Sequence, residues 1–367
     1  MGRQAPAEGS AQTTTTPRPK VTQTSAATTQ PTPIATAVPP TPTPTPSLAT
    51  GLVEGEIAQL APWRTLEGGT SRINSLVFSP DGQRLAAGAS DGTVQLWSTQ
   101  NKGASVVLDG KGREVWSVAF APEGDRLVTA SNDGAIRIWQ VGNGGLLDTI
   151  QGLADRAYRL AFSPDGAYLA VGGNLCMVEL RHAGHGLLAR TLAQPSCSVF
   201  KNGSVVSWGV SFSPDGSLLA VGEGRPCCGG SVQLYARDEG SYSFLRKLRG
   251  NGPAIQDLAF SPDGSLVAIA TSSKAIELRQ VVDGALLRKL EGHLYRVNDL
   301  DFSPDGRFLA SASRDGTVKI WRTSDGALLA TLEGDKSPVT AVAFSPDGSL
   351  LASATEGGAV TLWGAAR

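Results

Sequence analysis

Glu291-Gly-His-Leu-Tyr-Arg-Val-Asn-Asp-Leu-Asp-Phe-Ser-Pro-Asp-Gly-Arg-Phe-Leu-Ala-Ser-Ala-Ser-Arg-Asp-Gly-Thr-Val-Lys-Ile-Trp321 is the stretch that decides the fold. Val297, Leu300 and Phe302 give a first strand its apolar side chains. Ser303-Pro304-Asp305-Gly306 then reverses the chain, because proline presets φ and glycine accepts a positive φ at the corner. Phe308 to Ser313 reads as a second strand of small residues, and Asp315-Gly316 as a hairpin turn. Thr317 to Trp321 is a third strand that alternates and ends in a large aromatic, and Leu328 to Leu332 is a fourth that stops at Gly334.

This unit occurs seven times. Its central Phe-Ser-Pro-Asp-Gly begins at Phe78, Phe162, Phe212, Phe260, Phe302 and Phe344, and at Phe120 it reads Phe-Ala-Pro-Glu-Gly. The phenylalanines are 42, 42, 50, 48, 42 and 42 residues apart. A fixed period of about 40 to 45 residues with four strands per period is the signature of a propeller blade. One such sheet cannot bury both faces, whereas stacking around an axis buries them and leaves no long open edge. The pattern predicts an all-β, seven-bladed β-propeller over residues 57–367, preceded over residues 1–56 by a disordered Thr/Pro-rich spacer.

Gly292-His293, Ser311, Asp315 and Trp321 resemble the WD40 repeat family. The resemblance implies that these histidine, serine, aspartate and tryptophan side chains are hydrogen-bonded across the blade. Only the sixth repeat keeps all four. Repeats 1 and 2 keep Asp91 with Trp97 and Asp133 with Trp139, repeat 7 keeps Trp363, and repeats 3, 4 and 5 carry Leu180, Tyr235 and Leu278 instead. The resemblance runs from about residue 57 onward and speaks to fold far more than to function, since one scaffold carries many functions.

The chain ends four residues after Trp363, so the seventh repeat lacks its fourth strand. Upstream of the first repeat, Ala61-Pro-Trp-Arg-Thr-Leu-Glu-Gly68 shares the Leu-Glu-Gly ending of a fourth strand. The N-terminal segment is therefore expected to supply the outer strand of the last blade, making the ring one cooperative unit.

Totals exclude several classes. A net charge of −1 and a pI near 6.3 give no global basic field, so nucleic acid is not an expected partner. No apolar run approaches the roughly 18 residues of a membrane span. A secretory signal needs a basic start and an apolar core of about 7 to 15 residues, and Met1-Gly-Arg-Gln-Ala-Pro-Ala has neither, so no export device is expected in the chain as written. From about Thr13 to Thr50 the chain is mostly threonine, proline, alanine and glutamine, including Pro39-Pro-Thr-Pro-Thr-Pro-Thr-Pro46. Such a segment has too little apolar surface to offset the entropy of ordering. It reads either as a stalk, which favours an exported or surface-tethered setting over the cytoplasm, or as an unselected tail.

All four cysteines, Cys176, Cys197, Cys227 and Cys228, fall at or beside irregularities of the period. The chain inserts residues 193–203 between repeats 3 and 4, and residues 223–230 inside repeat 4. Second-to-third strand turns and blade-to-blade connections open on one face of a propeller, which is expected to make the four thiols neighbours. Three readings stay open: disulfides tying the loops together, which fits an oxidising compartment; free thiols; or a four-cysteine zinc site, which lacks the usual paired spacing. Sequence cannot choose among the disulfide connectivities.

A search for catalytic chemistry returns little. His293 is taken by the repeat, and His182-Ala-Gly-His185 reads as a solvated turn on the face opposite the cysteines. There is no nucleophile elbow, phosphate-cradling loop or helical zinc motif. The recurrent Asp-Gly pairs read as turn geometry, and Asn202-Gly-Ser204 as a plain turn that also satisfies a glycosylation sequon. The chain is expected not to be an enzyme and to need no cofactor and no metal.

The sharper signal sits four and six residues before each turn phenylalanine, positions that the resemblance implies point out of the cysteine-bearing face and contact partners. The nearer set is Asn74, Trp116, Tyr158, Trp208, Gln256, Asn298 and Thr340; the outer set is Arg72, Glu114, Arg156, Val206, Ala254, Arg296 and Pro338. Tryptophan, tyrosine and arginine dominate binding hot spots. Trp116, Tyr158 and Trp208 fall on consecutive blades, and Arg72, Arg156, Arg296 and Arg314, with Tyr295 beside them, would ring the aromatics with groups that fork onto carboxylates. The expected role is a monomeric, non-enzymatic scaffold for a protein or peptide, an acidic one if the arginines select. The competing readings are aromatics that merely pack the ring mouth, a structural domain without ligand, and an enzyme or small-ligand sensor at the axial channel.

Overall fold

The computed structural model describes residues 51–66, 71–100, 105–110, 113–151, 156–173, 177–193, 206–225, 229–238 and 241–365. The Thr/Pro-rich segment, the four cysteines and the Asn202 sequon lie outside these residues.

The strands form seven four-stranded antiparallel sheets, a seven-bladed β-propeller. The inner strands are Ile73–Phe78, Val115–Phe120, Ala157–Phe162, Val206–Phe212, Ile255–Phe260, Val297–Phe302 and Val339–Phe344, for blades 1 to 7 in chain order. In blades 1 to 6 the four strands follow one another in sequence. Blade 7 is closed by the other end of the chain: Leu60–Leu66 pairs antiparallel with Val360–Ala365, Leu60 opposite Ala365 and Leu66 opposite Val360. The expected outer strand is therefore in place.

The repeated turn explains why each inner strand reverses where it does. In blade 1 the Ser79 hydroxyl donates to Asp81 Oδ1 (2.5 Å), the same carboxylate oxygen accepts the Gln83 amide (3.0 Å), and Ser79 Oγ accepts the Arg84 amide (2.9 Å). Gly82 sits at φ 69°, where only glycine is unstrained. The same bonds recur at Ser163/Asp165, Ser213/Asp215, Ser261/Asp263, Ser303/Asp305 and Ser345/Asp347. At Asp81, Asp215 and Asp263 the serine hydroxyl is the main influence and holds the carboxyl below its ordinary range. At Asp165, Asp305 and Asp347 partial burial opposes this, and the serine and the following amide outweigh it.

Between blades the core is aliphatic and close-packed. Leu66, Ile73, Phe78, Leu85, Trp97 and Leu362 form one cluster joining blades 7 and 1 across the closure. One element carries no repeat signature. Residues Gly51 to Ala58 include a single helical turn, Glu54–Ile57, which drives Leu52 and the fully buried Ile57 into the cluster of Phe308, Leu332, Val339 and Trp363 between blades 6 and 7. The Leu52 amide donates to Gly348 O (3.0 Å), Arg307 Nη2 to Leu52 O (3.1 Å), and Arg322 pairs with Glu54. The clasp is thus a wedge as well as a strand, seated at the Ser-Pro-Asp-Gly end of blade 7.

Candidate functional site

Blade 6 holds a closed chain of hydrogen bonds. Trp321 Nε1 donates to Ser311 Oγ (2.8 Å), Ser311 Oγ lies 2.8 Å from His293 Nε2, and His293 Nδ1 lies 2.8 Å from Asp315 Oδ2. Burial lowers the proton affinity of His293 and outweighs the opposing pull of Asp315. With a neutral imidazole every group has one role: the indole N–H gives to Ser311, the Ser311 hydroxyl gives to Nε2, and Nδ1–H gives to the carboxylate. Half of this chain survives elsewhere, as Trp139 to Thr129 Oγ1 (3.1 Å) in blade 2 and Trp363 to Ser353 Oγ (2.8 Å) in blade 7. In blade 4, Tyr235 Oη donates to Gln233 Oε1 (3.0 Å) instead.

The mouth of the ring is shaped by a bulge. In all seven blades the pairing of first and second strands shifts register four residues before the turn phenylalanine, as between Ile73 and Ser75, Val115 and Ser117, and Ala157 and Arg159. A bulge leaves one residue out of the ladder and re-aims its side chain. The residues left out of the ladder are Asn74, Trp116, Tyr158, Trp208, Gln256, Asn298 and Thr340, the nearer set singled out from sequence. Two residues upstream the backbone is pinned, with Arg72, Glu114, Ala254, Arg296 and Pro338 carbonyls accepting the amides of Ser90, Asn132, Ser272, Arg314 and Glu356.

Chemistry divides the bulge residues into two kinds. Asn74 Nδ2 donates to Val115 O (2.9 Å) and Glu114 Oε1 (3.3 Å), and Asn298 Nδ2 donates to Val339 O (2.7 Å), so each asparagine clips its blade to the next. Trp116 and Tyr158 meet edge to face instead, centroids 5.2 Å apart at 72°, and the Arg72 guanidinium lies 5.9 Å from the Trp116 ring centroid. Trp116 is half-buried and Tyr158 only 7% exposed. Trp208 lies in the first strand of blade 4, with its side chain outside the description.

Burial, then the charge of Arg314, then that of Arg72 weaken proton binding by Arg296, and the Glu356 carboxylate opposes them. Arg296 Nε donates to Asn298 Oδ1 (3.2 Å). Arg314 and Arg156 are exposed, and Tyr295 is 62% exposed on a backbone held by Ser313 Oγ (3.2 Å).

Sequence reasoning did not single out the axis. Arg159, three residues before Phe162, lies 3.4 Å from both Asp257 and Asp299 at the same position of blades 5 and 6. Blade 4 has Gly209 there, where a Cβ would come within 2.7 Å of Leu258 Cγ, and the guanidinium bridges past it. His182, the last residue of the third strand of blade 3, and His185 in the turn after it have ring centroids 5.1 Å apart, tilted at 48°. Among the described residues no group of three or more His, Cys, Asp or Glu is arranged to hold a metal ion, and no helix is long and apolar enough to cross a membrane.

Compared with known families, the chain matches the WD domain, G-beta repeat at residues 61–98, 105–140, 242–276, 284–322 and 326–364, together just over half its length. The unmatched interior stretch, 141–241, is the part where both insertions fall and where tryptophan is replaced by Tyr235 in blade 4 and, contrary to the sequence reading of Leu180, by Arg181 in blade 3; the register likewise puts Arg279, not Leu278, at that position in blade 5. No curated protein matches the chain.

Proposed function

The chain belongs to the WD40 repeat family, whose propellers generally serve as protein-interaction scaffolds, and from that premise we propose that it is a non-enzymatic scaffold binding a protein or peptide with acidic residues across the ring mouth. One observation carries this reading: a single face combines the Trp116–Tyr158 pair, Arg72 against Trp116, and the mutually repelling Arg296 and Arg314. An anion placed among three guanidiniums relieves their repulsion and gains charge-assisted hydrogen bonds. The half-buried indole beside them offers an apolar anchor of the type that dominates interface energetics.

Selection from a displayed random peptide library tests the proposal. Enriched peptides are expected to be acidic, to weaken with added salt, and to lose about 30-fold or more in affinity against Trp116→Ala, in line with a hot-spot loss of about 2 kcal/mol. Arg296→Ala is expected to flatten the salt dependence. Peptides that bind folded Trp116→Ala and Arg296→Ala as tightly as the unaltered propeller would refute it.

A further inference from the structure

The inner strands bring four charged groups to the axis, and their arrangement is unbalanced. Among the described residues Arg159 of blade 3 is the one cation there, 3.4 Å from Asp257 of blade 5 and 3.4 Å from Asp299 of blade 6. Asp301, two residues further down the blade 6 strand, is a third carboxyl in the same field. At the two corresponding levels the other blades supply Ser75 and Val77, Ser117 and Ala119, Gly209 and Ser211, and Ala341 and Ala343, and blades 3 and 5 add Ala161 and Ala259, none of which titrates. Oδ1 of Asp257 and Oδ1 of Asp299 lie 3.4 Å from the same nitrogen, Arg159 Nη2, which brings the two carboxyl groups together. Two carboxyl groups in such contact need one proton between them, because a pair of carboxylates can only accept.

Each carboxyl also fastens a neighbouring blade. Asp257 Oδ2 accepts the Leu300 amide of blade 6 (3.0 Å), Asp299 Oδ2 accepts Val342 of blade 7 (2.9 Å), and Asp301 Oδ2 accepts Phe344 of blade 7 (2.7 Å). In blades 1 and 2 the same bond is made by neutral hydroxyls, Ser75 to Val118 (3.2 Å) and Ser117 to Leu160 (3.1 Å). The joints from blade 5 through blade 7 therefore use acids where serine suffices elsewhere. They end at the blade that the N-terminal strand must close.

We propose that the axis is a proton-linked lock: Asp257 and Asp299 share a proton beside Arg159, and deprotonation of this cluster and of Asp301 in alkaline solution loosens the blade 5–6–7 joints. The direction follows from burial, which raises all three carboxyls: it lifts Asp301 to about 7, and at Asp299 repulsion from Asp257 adds to it. A carboxyl that holds its proton more tightly when folded stabilises the fold below its unfolded pKa of about 3.9, and that contribution is lost as pH rises toward its folded value. The lock is fully set in acid and is lost as pH rises from about 3.9 through the folded values, about 7 for Asp301.

Thermal unfolding of the full chain between pH 5 and pH 9 tests the lock in Asp299→Asn, Asp301→Asn, Arg159→Met and the Arg159→Met/Asp299→Asn double variant. Asparagine keeps the oxygen that accepts the blade 7 amide and removes the charge. Both asparagine variants are expected to gain on the unaltered protein with rising pH, on the order of 5 °C by pH 8.5. Arg159→Met is expected to lose most at pH 8.5, with Asp299→Asn restoring part of the loss. Parallel pH profiles for the unaltered protein and the asparagine variants would overturn the proposal, and so would a double variant as weak as Arg159→Met. Should Arg159→Met fail to fold, the asparagine profiles decide alone.

Discussion

Ser311→Ala should be among the most damaging single-atom deletions in the ring. Ser311 is fully buried, and its hydroxyl is the only group joining Trp321 Nε1 (2.8 Å) to His293 Nε2 (2.8 Å). Removing it leaves an indole N–H and an imidazole nitrogen without their partner in a buried site. Each orphan costs about 1–3 kcal/mol, so the loss is about 2–6 kcal/mol. Blades 2 and 7 supply internal controls, since Thr129 and Ser353 each serve a single indole. Thr129→Val and Ser353→Ala orphan one group apiece and should cost about half as much. Denaturant midpoints measured with the slope checked for constancy would rank the three variants. If Ser311→Ala shifts the midpoint no more than Ser353→Ala, the histidine contributes nothing through this hydroxyl, and the closed hydrogen-bond chain is not the reason blade 6 keeps all four residues.

Ile57→Ala removes the fully buried tip of the wedge between blades 6 and 7 and should cost about 2–5 kcal/mol, read as a lower unfolding midpoint; an unchanged midpoint would show the wedge to be ornamental. The turn aspartates have folded pKa values depressed below about 3.9, so their contribution is present above that value and lost as pH falls through the folded ones. Acid titration followed by circular dichroism should therefore show Asp81→Asn and Asp263→Asn with shallower acid transitions than the unaltered protein. Glu277→Gln removes the charge shared by Arg249 of blade 4 (2.8 Å) and Arg279 of blade 5 (2.8 Å). Hydrogen exchange should then quicken in strand Ile276–Gln280 while blades 1, 2 and 7 keep their protection; uniform quickening would contradict a local joint.

The blade count, the strand order and the closure by residues 61–66 were legible because they rest on local signals that repeat. Serine, proline, aspartate and glycine each have one job in the turn, and the alternation of the strands names the faces. The bulge residues were also legible, since their distance from the turn phenylalanine is constant and register is fixed by the turn. What those side chains do there was not. Asn74 and Asn298 reach a carbonyl of the next blade, and Trp116 meets Tyr158 across a blade boundary; both depend on the step between blades, which no single repeat encodes. The wedge at Leu52 and Ile57 occurs once, so periodicity had nothing to amplify. Arg159, Asp257 and Asp299 share a repeat position but mean nothing until the ring closes and brings blade 3 within reach of blades 5 and 6.

The blades without tryptophan show how one scaffold tolerates unequal repeats. Blade 3 reads Glu179-Leu180-Arg181 and blade 5 reads Glu277-Leu278-Arg279 in the third strand, and the two respond alike. Glutamate and arginine two residues apart share a face and pair, Arg181 with Glu179 at 2.6 Å and Arg279 with Glu277 at 2.8 Å. Each arginine also donates to the carbonyl of the next turn glycine, Gly186 or Gly284, at 2.8 Å. The register shows that the arginine itself stands at the tryptophan position, Arg181 opposite Leu169 and Arg279 opposite Val267 as Trp321 is opposite Leu309, and an ion pair replaces the indole's hydrogen bond. The exchange is not neutral, because charges that are largely withdrawn from water recover little more than their desolvation cost, whereas a fully buried N–H···O bond carries no such charge penalty. Blades 3 to 5 accordingly depend on mutual pairing, down to the Arg249–Glu277 contact that sews blade 4 to blade 5. Blades 6, 7 and 2 hold their own second and third strands together through tryptophan, and blades 6 and 7 flank the clasp, where the ring is joined by the pairing of the two chain ends.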